Sequence, residues 1–136
     1  MLTTLHWNTL HALMDRIIPP DDFPDAWEAG VGDYLAQQFE RDLRPQIEMY
    51  VRGLEALEAE AQASDGTGFS ELDALAQDAI LRRIETGQVM SLWPVDPGEF
   101  FQAVIGHVMA GYYSDPGNGG NRDSIAWRMI GFEARE

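Results

Sequence analysis

Apolar side chains recur three and four residues apart along most of this chain, and strict alternation of apolar with polar residues never extends beyond about four positions. The first pattern gathers apolar groups on one face of a helix, whereas a half-buried strand needs the second. The chain is therefore read as all-α. Leu2, Leu5, Leu10, Leu13, Ile17 and Ile18 give a first stripe, opened by Thr3 or Thr4 and closed before Pro19-Pro20, because proline drives the residue before it into extended geometry. After the stiff "PPDDFPD" turn, Asp25 and Glu28 have capping-box spacing. Val31, Tyr34, Leu35, Phe39 and Leu43 line a second helix starting near Gly30.

Pro45 suits the first turn of a third helix, where a missing N–H costs nothing. Ile47, Val51, Leu54, Leu57 and Ala61 form its buried face, with Glu55, Glu58 and Glu60 read as one solvated face. "SDGTG" is a loop. Ser70 and Asp73 then cap a fourth helix through Leu72, Leu75, Ala79, Ile80 and Ile84, stopped by Gly87. Asp96 as cap, Pro97 at the first helical position and Glu99 in the first turn open a fifth. Phe100, Phe101, Val104, Ile105, Val108, Met109 and Tyr112 make that helix the most apolar, and a short final helix covers Ser124 to Ile130. With no repeat and no long linker, residues 1–136 read as a single compact domain of about five helices plus a short C-terminal one.

Composition narrows the function. All nine basic residues are arginine, and the net charge is −14. Such a surface repels phosphate backbones and anionic lipid headgroups, which argues against nucleic acid and membrane-surface partners. No lysine is present for a Schiff base or a phosphate grip, and no cysteine for a disulfide, thiolate metal site or nucleophile. No apolar run reaches the roughly 18 residues that span a bilayer. The N-terminus lacks the basic start, apolar run and small-residue cleavage site of a secretory signal. The expectation is synthesis without a leader, or a processed form.

Candidate chemistry is sparse. His11 and Asp15 share a helix face and read as a surface pair; His6 does not join His11 in a zincin-like arrangement. His107, inside the apolar fifth helix, reads as a hydrogen-bonded core or interface residue. No serine sits in a Gly-x-Ser-x-Gly context. "GYYSDPGNGGN", residues 111 to 121, offers oxygen ligands, yet its register fails the helix-loop-helix calcium motif, with glycines where ligands belong and Ala126 in place of the final Glu. It also fails as a phosphate loop, for no Lys-Ser/Thr follows Gly120. No catalytic, cofactor or metal site is assigned. What remains is a shaped surface: glycines permit close approach of another chain, asparagines stabilise tight turns, and Tyr112, Tyr113 and Trp127 flank the bend. Arg16, Tyr112, Tyr113, Asp115, Asn118, Asn121 and Trp127 are the candidate loop-shaping or partner-contact residues. A free-standing small helical enzyme or ligand-binding module, with a pocket lined by His107 and the tyrosines, is the alternative.

Three stretches carry a resemblance. "LMDRIIPPDD" with "AGVGDYL", then "FSELDALAQDAIL", then "GYYSDPGNGGN" followed by Trp127 and "IGF" resemble the small subunit (subunit 3, or gamma) of flavin-dependent gluconate 2-dehydrogenases and related sugar dehydrogenases. The last stretch is the most distinctive. Asn118 stands where that family more often has tyrosine, and "GFEARE" replaces a Gly-Tyr-Pro-Gly-like ending. The resemblance implies a chain without its own cofactor, paired with a large FAD-bearing dehydrogenase subunit and often with a cytochrome c subunit that receives the electrons. It implies a role in folding the large subunit and a periplasmic destination reached through a twin-arginine signal. This sequence shows no such signal, so a cytoplasmic complex is the alternative.

Overall fold

Helix α1 (Thr4–Ile17) starts where Thr3 accepts the His6 amide on its hydroxyl and His6 Nδ1 accepts the Thr3 amide in return. This is a capping box with histidine at the position usually held by Glu or Gln. The computed structural model describes residues 2–18, 27 and 30–113, and within them the other α-helices are α2 (Val31–Gln38), α3 (Ile47–Asp65), α4 (Ala74–Thr86) and α5 (Pro97–Tyr112). Two single turns of 3-10 helix, Arg44–Gln46 and Phe69–Glu71, lead into α3 and α4. Among the described residues there is no strand, so the all-α reading stands. The Asp25–Glu28 capping box and the short helix expected over Ser124 to Ile130 lie outside the described residues.

Local chemistry accounts for most helix ends. Gly30 precedes α2 with φ 96°, and Gly66 and Gly87 close α3 and α4 with φ 78° and 75°, a left-handed conformation that side-chain-bearing residues rarely adopt. Asp73 caps α4 through the Ala76 amide. Ser70, expected to share that role, sits in the preceding 3-10 turn. Asp96 caps α5 through the Glu99 amide, with Pro97 in the first turn. Pro45 opens the 3-10 turn rather than α3 itself. Helix α2 is shorter than its stripe suggested; it stops at Gln38, and Leu43 lies beyond it in a turn.

The core joins all five helices: Leu10, Leu13 and Met14 from α1; Val31 and Leu35 from α2; Tyr50, Leu54 and Leu57 from α3; Ile80 and Ile84 from α4; Phe100, Val104, Val108 and Tyr112 from α5. Edge-on aromatic contacts run through its centre, from Trp7 to Phe39 to Tyr50 to Phe100. Helix α3 approaches α5 closely at Gly53, where an added Cβ would fall 2.2 Å from the Phe100 ring.

Several stripe positions turn out differently. Leu5 and Leu75 are exposed. The buried face of α1 runs through His6, Leu10 and Leu13, and Leu5 sits about 100° away from His6 around the axis. On α4 the face runs through Gln77, Ile80, Leu81 and Ile84, which leaves Leu75 on the outside. Ile47 and Val51 are only half-buried, and Tyr50 takes the central place between them. Met109 lies at the surface.

Candidate functional site

Glu55, Glu58 and Glu60 are not one solvated face. Each has a separate partner set, and Glu60 is completely buried at 0% exposure. Its position continues the inward phase of α3 set by Tyr50, Gly53, Leu54 and Leu57. A lone buried carboxylate is very unfavourable, so its surroundings must answer the charge. Five hydrogen bonds do so. Glu60 Oε2 accepts from Arg83 Nη2 (3.1 Å) and the Met90 amide (2.8 Å). Its Oε1 accepts from the Ser91 amide (3.1 Å), the Ser91 hydroxyl (2.8 Å) and Trp93 Nε1 (3.3 Å). Burial alone would raise the Glu60 carboxyl, but the donors from Met90, Ser91, Arg83 and Trp93 outweigh it and hold the pKa at about 2. One side chain on α3 thereby fixes the end of α4 and the connection that carries the chain to α5.

The other two carboxylates also hold structure. Glu58 Oε1 accepts from the Thr9 hydroxyl (2.9 Å) and from the Phe69 amide (3.0 Å), tying α1 and the "SDGTG" loop region to α3. Glu55 Oε2 lies 2.8 Å from His6 Nε2. Because His6 Nδ1 already accepts the Thr3 amide, Nε2 carries the proton and donates to Glu55. Both nitrogens of this histidine are committed. These groups border a cavity of about 650 Å³ between α1 and α3, lined by His6, Thr9, Glu55, Glu58, Gln62 and Ser70 among others.

The remaining histidines are engaged as well. His11 stacks on Trp27, with ring centroids 4.2 Å apart, and reaches to 3.9 Å from Asp15, the pair expected from its spacing. His107 Nδ1 accepts from the Tyr50 hydroxyl at 2.7 Å across nearly parallel rings. Burial lowers the His107 pKa and raises that of Tyr50, so a neutral imidazole faces a protonated phenol. This is the hydrogen-bonded histidine anticipated for the fifth helix. His107 is not part of the wall of the cavity between α1 and α3.

Of the candidate contact residues, Arg16, Tyr112 and Tyr113 are described, while Asp115, Asn118, Asn121 and Trp127 lie outside the described residues. Arg16, in the last turn of α1, is largely covered and pairs with Asp78 of α4 at 3.3 Å. It lines a second groove, of about 360 Å³, with Leu81, Phe101, Ile105 and Met109. Tyr113 caps α5 one turn beyond Met109. Tyr112 is buried and meets the exposed Tyr113 edge to face, with centroids 5.3 Å apart. Gly111 lets α5 approach Tyr34 of α2, for an added Cβ would lie 2.6 Å from the Tyr34 ring. Sequence reasoning missed Glu60, Ser91 and Trp93. The helical phase of Glu60 was the available signal.

No group of three or more His, Asp or Glu side chains among the described residues is arranged to hold a metal ion. No described helix is long and apolar enough to cross a membrane. What the fold and its polar clusters define is a helical protein in which His6, His107 and the carboxylates of α3 tie separate elements together. The chain matches the gluconate 2-dehydrogenase subunit 3 family over residues 4–133 and belongs to that family. No curated protein and no solved structure matches it.

Proposed function

We propose that this chain is a non-catalytic accessory subunit that binds and stabilises a large FAD-dependent sugar or sugar-acid dehydrogenase. The family is that of a dehydrogenase subunit, which supports a role inside such a complex. The observation that carries the reading is the employment of the polar groups. All three histidines have structural partners, and Glu55, Glu58 and Glu60 each bind neighbouring elements. An acid–base or nucleophilic site needs such groups poised toward a substrate, and here they face other parts of the fold. The flavin and the oxidation belong to the large subunit, and a cytochrome c subunit takes the electrons onward. The small subunit assists folding of its partner and accompanies it to the periplasm. Tyr113 and the glycine-asparagine bend that follows it shape the contact, with Arg16 and Tyr112 supporting from within.

Co-expression with the neighbouring flavoprotein gene tests this. The two chains are expected to co-purify, with flavin absorbance in the complex and none in the isolated small chain. Soluble flavoprotein yield is expected to fall when the small chain is omitted. A flavoprotein that folds, loads FAD and remains soluble without this chain, and does not retain it, overturns the reading.

A further inference from the structure

The connection between α4 and α5 places its side chains alternately in and out. Ser91 and Trp93 turn inward to Glu60. Met90 and Leu92 turn outward, 62% and 95% exposed. Isolated surface leucines are ordinary. Two apolar side chains on a segment fixed by a buried carboxylate are a different case, because four hydrogen bonds from residues 90, 91 and 93 to Glu60 hold the backbone on either side of Leu92. A contact surface held in its bound shape before the partner arrives loses little freedom on binding.

We infer that Met90 and Leu92 form a docking knob that enters an apolar, basic-rimmed recess on the large dehydrogenase subunit. This inference rests on the accessory-subunit reading above. Charge selects the occupant. The chain carries −14, and the exposed residues Asp96 and Glu99 lie four and seven positions after Leu92, at the start of α5. A second copy would bring like charge against like, whereas arginines and lysines around a recess on the large subunit would complement the rim. Methionine is enriched in such contacts, and a fully exposed leucine gains the most from being covered. The knob lies before the first turn of α5 and Tyr113 just past its last turn. A helix of that length spans about 24 Å, a separation that one interface of ordinary size can bridge.

A competition experiment on the co-expressed complex tests the knob. Wild-type chain and Leu92→Asp are produced together with tagged flavoprotein, and the ratio retained is measured by mass spectrometry. Wild type is expected to be favoured about 30-fold, the size of a central interface contact. Leu75→Asp, altering another exposed leucine, on α4 (76% exposed), is expected to compete at parity. Circular dichroism melts of both variants are expected to overlay wild type, and Met90→Ser with Leu92→Ser provides a milder version should the charge disturb folding. Parity for Leu92→Asp while wild type is retained overturns the knob and leaves the accessory role intact. Equal loss for Leu75→Asp also overturns it, as does a homodimer that Leu92→Asp dissolves without changing flavoprotein capture. If wild-type chain is not retained at all, the accessory reading itself fails.

Discussion

The two ends of α5 are secured by opposite means. At its N-terminal end, one carboxylate from α3 gathers five donors and orders the segment leading into the helix. Toward its C-terminal end the helix is held mainly by shape, with one hydrogen bond: His107 lies flat against Tyr50 and accepts from its hydroxyl, Gly111 admits the Tyr34 ring, and Tyr112 is buried beside Tyr113. A charge-based anchor is specific but intolerant, since removing one partner strands the others without bonds. A packing anchor degrades by degrees, according to the volume added or removed.

The largest effect is therefore expected at the polar end. Glu60→Ala leaves Met90, Ser91, Trp93 and Arg83 without their acceptor and should cost about 3–5 kcal/mol in urea or thermal unfolding. A loss under about 1 kcal/mol would mean that water replaces the carboxylate at little cost, and the contrast between the two ends would dissolve. Next comes Gly53→Ala. In an exposed helix interior this change is stabilising by up to about 1 kcal/mol. Here the new methyl would press into Phe100, and a net loss of about 1–3 kcal/mol is expected from overpacking. Gly53→Ala probes the contact between α3 and α5 that lies between the two anchors. Smallest is Tyr50→Phe, which removes one hydrogen bond to His107 and should cost about 1 kcal/mol.

Acid titration separates the ends without mutation. His107 and Glu60 both have folded-state pKa values below their ordinary ones, 6.5 and 4.5. In each case the unfolded chain takes up protons more readily, so stability falls as pH falls. The His107 contribution should begin to fade as pH drops below 6.5, and the Glu60 contribution between 4.5 and about 2. Replacing His107 with Gln should flatten the upper part of a stability–pH curve, and Glu60→Gln the lower part. A single step unaffected by either variant would contradict this division.

The helical architecture was legible because its signals are local. Asp73, Asp96, Pro97 and Gly87 act on their own turns, and the structure places the corresponding caps where the residues predict them. The phase of a stripe was harder. Leu5 and Leu75 look like core residues by type, yet His6 and Gln77 occupy the inward positions because they find polar partners there. Glu60 was the plainest failure. In a segment dense with glutamates, nothing local marks the one whose donors arrive from residues 83 to 93, and only the helical phase told it apart. Arg16, read as a loop-shaping or partner-contact residue, pairs with Asp78 of α4, which lies too far along the chain for local pattern to reveal.

The Glu60 cluster also sets how this molecule would look to a solvent-exchange measurement. Segments lacking regular secondary structure ordinarily trade their amide protons for deuterium within moments. Yet the Met90 and Ser91 amides are held on a carboxylate at the centre of the molecule. Those two protons can leave only when α3 parts from the connection, so their exchange clock should keep time with the interior helices.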